Sequence, residues 1–145
     1  MARILVVDGN ADFREIARSL LEGEAHEVIE SRDGLAGLQR AVEDAPDLIL
    51  LDLDLPGLAG DDLCRRLRRE PGTAGIPVVI WSSSFDEEGR ARAIEAGAGA
   101  FVARSFRFGD LLERVRSLLA ESAGGWPTAM MSREPDAEPS VRGPI

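Results

Sequence analysis

The stretch LILLDLDLPGLAG, residues 48–60, joins four consecutive aliphatic residues to an acidic turn that ends in glycine. A short continuous apolar run of this kind is typical of a strand buried on both faces of a parallel sheet. Runs of similar character occur four more times: ILVV at 4–7, VI at 28–29, VVIW at 78–81 and FVA at 101–103. The pattern therefore predicts five short, buried strands.

Segments with apolar residues at helical spacing lie between and after these runs. The clearest of these stripes is formed by Leu111, Leu112, Val115, Leu118 and Leu119. Residues that favour helix N-caps, such as Asp33 and Asp86, precede two of the segments. Strands that alternate with helices predict the α/β class: a (βα)5 doubly wound, five-stranded parallel sheet with strand order 2-1-3-4-5.

The composition excludes several chemistries. The chain has 145 residues and a formal net charge of −9, and all 17 basic residues are arginine. Without lysine there is no Schiff-base catalysis and no P-loop of the GK[ST] type. The acidic balance argues against nucleic acid and anionic membrane as partners. No signal sequence or membrane-spanning run is present, so a cytoplasmic location is expected.

The composition changes near residue 122. Residues 123–145 are rich in proline and glycine and keep no apolar period, which predicts a flexible tail. Residues 1–122 are expected to form one domain. Since the tail is too short for an effector domain, a single-domain, stand-alone protein is expected.

Four chemically suggestive residues directly follow predicted strands: Asp8, Asp52, Ser82 and Arg104. In open α/β sheets, ligands bind beyond the carboxyl ends of the strands, and the first and third strands are expected to be neighbours. Two carboxylates suit Mg²⁺, and a hydroxyl beside a cation suits an anion. Each residue alone is explained by a helix cap, a turn or a surface charge, but together they favour phosphoryl transfer to an aspartate.

Four segments resemble a known family. ILVVDGNADFREIARSLLE (4–22), PDLILLDLDLPGLAGDDLCRRLR (46–68), PVVIWSSS (77–84) and GAGAFVARSF (97–106) are similar to the motifs of response regulator receiver domains. The resemblance covers residues 3 to 121 and is most specific in LDLDLPGLAG. It implies the flavodoxin-like fold of CheY-like receivers and a role in two-component phosphorelay signalling.

The resemblance also implies roles for the strand-end residues. Asp52 would accept a phosphoryl group from a sensor histidine kinase or a phosphotransfer protein. Asp8, Asp52 and the backbone carbonyl of Asp54 would hold Mg²⁺, while Ser82 and Arg104 would bind the phosphoryl oxygens. The protein would not be an enzyme beyond self-catalysed phosphoryl transfer and autodephosphorylation.

The resemblance further implies a conformational switch. Ser82 would move towards the phosphoryl group, and Phe101 on the fifth strand would follow. The surface that changes would comprise the fourth helix, fifth strand and fifth helix. This surface would bind a downstream protein target or a second copy of the chain.

The sequence departs from the family pattern at three positions. Gly9 stands where a second acid usually binds the metal, so weakened Mg²⁺ binding is expected. Arg104 replaces a lysine and keeps the charge on a wider, planar group. Ser105 replaces a proline that often follows a cis peptide bond, which leaves the Arg104–Ser105 isomer open.

Two alternative functions remain open at this point. With these departures, the chain is also interpreted as a degenerate pseudo-receiver, an interaction or dimerisation module that works without phosphorylation. A flavodoxin-like cofactor protein is the third hypothesis. The acidic first loop, DGNAD, disfavours it, because a flavin phosphate needs neutral hydroxyls and backbone N–H groups.

Overall fold

The protein is built around one five-stranded parallel sheet. Its structure, a computed structural model, describes residues 1–83, 86–104 and 108–122. The strands are β1 (Arg3–Val7), β2 (Glu27–Ser31), β3 (Leu48–Leu51), β4 (Val78–Ser82) and β5 (Ala100–Ala103). Their order is β2-β1-β3-β4-β5, and every neighbouring pair is parallel. The predicted fold class and strand order are confirmed.

Within the described ranges, five helices connect or follow the strands. They are α1 (Ala11–Gly23), α2 (Gly34–Asp44), α3 (Gly60–Arg69), α4 (Glu87–Ala96) and α5 (Phe108–Ser122). Asn10, Asp33 and Asp86 cap the first, second and fourth helices by accepting backbone N–H bonds through their side chains. These caps satisfy N–H groups that the helices themselves leave without partners, which explains where the helices begin.

The two faces of the sheet carry separate hydrophobic cores. Helices α1 and α5 pack on the face that contains Ile4, Val6 and Leu50, whereas α2, α3 and α4 pack on the opposite face. The alternation follows from the two-residue period of strand side chains. Cys64 of α3 lies in the second core, and burial raises the pKa of its thiol to about 11, so it is a structural apolar group.

The ends of the central strands are aligned by their register. Val7 of β1 pairs with Leu51 of β3, and Leu51 pairs in turn with Ile80 of β4. The backbone ladder continues one residue further: the N–H of Asp52 donates to Val7 O at 3.0 Å, and that of Arg104 to Ser82 O at 2.9 Å. Side chains at the carboxyl ends of four strands are thereby fixed along one edge.

An ion pair joins α3 to α4. Arg92 donates to both carboxylate oxygens of Asp61, at 3.2 Å and 3.0 Å, and its guanidinium also lies 4.0 Å from Asp54. Burial pushes the pKa of Asp61 up, but the hydrogen bonds and charge of Arg92 outweigh it, so the pKa lies below its ordinary value. The pair therefore stabilises the packing of α4 beside the loop that follows β3.

Some expectations concern parts of the chain that are not described. The Pro/Gly-rich tail, residues 123–145, and Ser105, with the isomer of its peptide bond, lie outside the described residues. Within the described ranges, no helix is long and apolar enough to cross a membrane.

Gly60 permits a close approach that a side chain would prevent. A Cβ at this position would lie 2.2 Å from the backbone oxygen of Asp52, which cannot move without shifting the end of β3. Gly60→Ala is expected to lower the free energy of unfolding by about 1–3 kcal/mol, measured by urea denaturation. Gly109→Ala is the matched control, because a Cβ there meets nothing within 4 Å. Equal stability of the two variants would contradict this packing.

Removing Arg92 should produce a pH-dependent loss of stability. Arg92→Met is expected to cost about 1 kcal/mol at neutral pH, since buried Asp61 loses both hydrogen bonds from Arg92 and keeps the more distant Arg65 at 3.5 Å, while Arg92 itself is partly exposed. The folded-state pKa of Asp61 is depressed, so this contribution is complete above the ordinary value of 3.8 and disappears as the pH falls through the folded-state value. Denaturation across this range, with exposed Arg66→Met as control, measures the effect. A pH-independent loss would contradict it.

Candidate functional site

Three charged side chains meet at the carboxyl edge of the sheet, beside the end of β4. Asp8 follows β1, Asp52 follows β3 and Arg104 follows β5, while Ser82 is the last residue of β4. The side chains of Asp8 and Arg104 are only 3% and 7% exposed, and Ser82 is fully buried. Asp52 is more accessible, with 14% of its side chain exposed. The sheet thus brings together the four residues that the sequence singled out.

The guanidinium of Arg104 lies between the two carboxylates. Its Nη2 donates to Oδ2 of Asp8 and lies 3.6 Å from Oδ1 of Asp52. Two carboxylates and one guanidinium therefore share a largely buried site. Because a buried carboxylate needs a charge partner or hydrogen bonds, Arg104 is the main compensation for Asp8.

Aromatic rings hold the guanidinium in place. Its Cζ lies 4.1 Å from the ring centre of Phe13 and 4.8 Å from that of Trp81. Nε of Arg104 also donates to the backbone oxygen of Trp81 at 3.1 Å. We call Phe13 and Trp81 the aromatic slot; their own rings meet edge to face, with centres 5.7 Å apart. The slot restricts the arginine to one orientation.

Sequence patterns did not reveal the role of Phe13. Its place in the apolar stripe of α1 predicts a core residue. Phe13 does pack against the α1/α5 core, but it is only partly buried. The contact with Arg104 joins residues 91 positions apart in the chain. Only the packing of α1 against the end of the sheet brings them together.

The loop after β1 is also tightly fixed. Oδ1 of Asp8 accepts from the backbone N–H of Asn10 at 2.8 Å, and Asn10 in turn caps α1. The backbone oxygen of Asp8 accepts from Nη1 of Arg14 at 2.6 Å, and Arg14 is paired with Glu30 of β2. After Phe13, Arg14 is a second residue of the site that the sequence patterns did not identify.

The environment of Asp52 disfavours its charged form. Burial raises the pKa of Asp52 above its ordinary value, and the charge of Arg104 and the N–H bond from Asp54 only partly offset this. That N–H donates to Oδ1 of Asp52 at 3.2 Å. The side chain of Asp54 is 62% exposed and lies near Arg92, so it faces away from the dry part of the site.

The carboxylates do not form a ready-made metal site. The described residues contain no group of three or more Asp, Glu, His or Cys side chains placed to hold a metal ion. Gly9 supplies no ligand, and a Cβ at this position would lie 3.1 Å from Cδ of Pro56. Since both oxygens of Asp8 already accept hydrogen bonds, the donor set does not fit Mg²⁺ as it stands.

The two residues assigned to a switch lie in different surroundings. Ser82 ends β4 at the site edge, opposite Ala103 of β5. Phe101 of β5 is buried in the α2/α3/α4 core, and a Cβ on Gly89 of α4 would lie 3.2 Å from its ring atom Cζ. The position of the Phe101 ring is therefore coupled sterically to the position of α4.

Most of the chain matches a known protein family. Residues 4–116 match the response regulator receiver domain family. The DNA-binding dual master transcriptional regulator RpaA of Synechocystis is 35% identical over 119 residues, which cover 82% of this chain and 49% of RpaA. The chain thus spans about half the length of the curated relatives it matches.

Solved structures agree with this match. The LuxR-family two-component response regulator of Aurantimonas is similar with a TM-score of 0.78 and 29% identity, covering 83% of this chain and 86% of that one. The receiver domain of the Pseudomonas aeruginosa sensor histidine kinase PA1611, which holds a magnesium ion in its active-site cleft, has the same fold with a TM-score of 0.77 at 22% identity, covering 82% and 98%. This chain belongs to the response regulator receiver domain family of two-component signalling.

Proposed function

We propose that Asp52 is the phosphoacceptor of this receiver, with a phosphohistidine of a sensor histidine kinase or phosphotransfer protein as the donor. One observation carries the proposal: Asp52 is the accessible carboxylate of a buried, charged site at the carboxyl edge of the sheet. A carboxylate oxygen would attack phosphorus, the P–N bond would break, and the imidazole would keep the electron pair. The chain is thus proposed as a signalling module rather than a conventional enzyme.

Arg104 and Ser82 are proposed to bind the transferred group. The guanidinium already lies 3.6 Å from Asp52, where an added phosphoryl group would place its oxygens. A planar guanidinium can donate two parallel N–H bonds to such an anion. Ser82 lies at the end of the neighbouring strand β4 and would supply a hydroxyl donor.

Mg²⁺ is part of the family expectation for this site. The resemblance assigns Asp8, Asp52 and the backbone carbonyl of Asp54 to Mg²⁺, but the hydrogen bonds that both oxygens of Asp8 already accept do not fit that assignment. In this chain a metal ion would have to share Asp8 with Arg104, so the proposed phosphoryl transfer relies on the guanidinium for charge neutralisation.

The proposed output is contact with a downstream protein through the α4-β5-α5 surface. A phosphoryl group on Asp52 would compete with Asp8 for Arg104 and would add negative charge near Asp54. Asp54 is connected to α4 through Arg92, and α4 packs on Phe101. These contacts support a path from the site to α4, and a second copy of the chain is an alternative occupant of the surface.

Phosphorylation of Asp52 distinguishes the proposed receiver from a pseudo-receiver. A pseudo-receiver would bind its partner without any modification of Asp52. Membership of the receiver family disfavours the flavodoxin-like cofactor hypothesis. RpaA is named as DNA-binding, which is a property of that protein. For this chain we propose a protein partner, because its net charge of −9 disfavours contact with nucleic acid.

Phosphorylation is tested by intact-mass measurement. Incubation of the full chain with acetyl phosphate is expected to add the mass of one phosphoryl group. Asp52→Asn should abolish the gain, whereas Asp54→Asn, a matched change at the exposed neighbouring acid, should retain it. No gain in the wild-type protein, or an equal gain in Asp52→Asn, would contradict the proposal.

The ionised side chain of Asp52 should lower the free energy of unfolding, as is common for residues that serve function rather than stability. Its folded-state pKa is raised, so ionisation of Asp52 opposes folding once the pH exceeds the ordinary value of 3.8. Asp52→Asn keeps an oxygen acceptor for the Asp54 N–H and is expected to gain up to about 1 kcal/mol at pH 7. Urea denaturation should show the gain fading below about pH 4. A loss of stability at pH 7 would contradict this electrostatic reading of the site.

A further inference from the structure

We infer that Arg104 is the resident cation of this site and excludes a divalent metal ion from the space between Asp8 and Asp52. The inference concerns the same site as the proposed function, but it does not require that Asp52 is phosphorylated. It assigns Phe13 and Trp81 as positioning residues, whose rings keep the guanidinium there.

The first support is the charge arrangement. Asp8 is almost completely buried, and its Oδ2 accepts from Nη2 of Arg104. The same nitrogen faces Asp52 at 3.6 Å. A single guanidinium therefore compensates both carboxylates, which is the task that a bound metal ion would otherwise perform.

The second support is the aromatic slot. Phe13 and Trp81 both offer ring faces to the guanidinium, at 4.1 Å and 4.8 Å, and the Trp81 carbonyl accepts from its Nε. A flat, weakly hydrated guanidinium stacks well on rings, whereas a lysine ammonium has no plane and carries its three N–H donors on a single nitrogen. The surroundings thus fit arginine specifically, so Arg104 is more than a change of one basic residue for another.

The third support is the ligand requirement of Mg²⁺. Magnesium needs oxygen ligands in near-ideal octahedral geometry. Oδ2 of Asp8 is held by Arg104 and Oδ1 by the Asn10 N–H, so a metal ion would have to displace the guanidinium. Displacement would break the Asp8 contact, the Trp81 hydrogen bond and two ring contacts, and would place two cations side by side.

Gly9 has a secondary role in this arrangement. An acid at position 9 would add a ligand, but its Cβ would press on Pro56 at 3.1 Å. It would also leave Arg104 in its slot. Restoring the missing acid alone should therefore recover little metal affinity.

The test is calorimetric titration of the full chain with MgCl₂ without any phosphodonor, up to about 10 mM. Four proteins are compared: wild type, Gly9→Asp, Arg104→Met and Phe13→Leu. Arg104→Met keeps an apolar chain against the rings while removing the charge. Phe13→Leu opens the slot without changing any charged group. Thermal unfolding with and without Mg²⁺ gives a second readout, because a ligand that binds only the folded state raises the melting temperature.

We expect wild type and Gly9→Asp to show no saturable binding and no shift in melting temperature. Arg104→Met should bind at least about tenfold more tightly than wild type and be stabilised by Mg²⁺, with Phe13→Leu in between. If Arg104→Met does not fold without metal, folding restored by Mg²⁺ and the Phe13→Leu result support the same conclusion.

Three results would overturn the inference. The first is saturable Mg²⁺ binding by wild type with an affinity equal to that of Arg104→Met. The second is recovery of binding by Gly9→Asp alone, and the third is absence of binding in both Arg104→Met and Phe13→Leu. None of them bears on whether Asp52 accepts a phosphoryl group. Conversely, failure of phosphorylation with acetyl phosphate leaves the metal titration fully informative, so the two proposals fail separately.

Discussion

The contact between the Arg104 guanidinium and the Asp8 carboxylate is the interaction on which the site depends. Both groups are almost fully buried, so removal of either one would leave the other without its charge partner and would destabilise the protein. The parallel sheet creates this situation, because its topology directs the ends of β1, β3, β4 and β5 to one edge. The fold therefore concentrates charge at this edge, and the arginine makes that concentration compatible with a stable protein.

The contacts around Arg104 tie separate parts of the molecule together. Through Phe13 the guanidinium is joined to α1, through Trp81 to β4, and through Asp8 to β1. On the opposite core, Arg92 connects α4 to Asp61 of α3 and approaches Asp54 beside the site. The phosphorylation proposed for Asp52 would therefore have two routes to the helices. This coupling is the physical basis for regarding the chain as a signalling module.

Sequence periodicity was sufficient for much of the fold and for part of the site. The buried strands were recognisable as continuous apolar runs. The doubly wound topology then predicted that Asp8, Asp52 and Arg104 lie at one edge of the sheet. Their mutual contacts were beyond prediction, because side-chain direction depends on packing between elements distant in sequence. Phe13 illustrates this limit, since a helix stripe predicts burial but not a cation as its neighbour. Arg14, Arg92 and Asp61 were missed for the same reason.

The central claim is that Arg104 keeps its place when Mg²⁺ is offered. The most direct measurement is the Nε–H signal of Arg104 in ¹H–¹⁵N NMR spectra recorded during a Mg²⁺ titration. Because this N–H is bonded to the Trp81 carbonyl and the guanidinium packs against two rings, we expect a signal protected from exchange whose position does not change. Progressive movement or loss of the signal with increasing Mg²⁺ would show that the metal displaces the guanidinium and would contradict the claim.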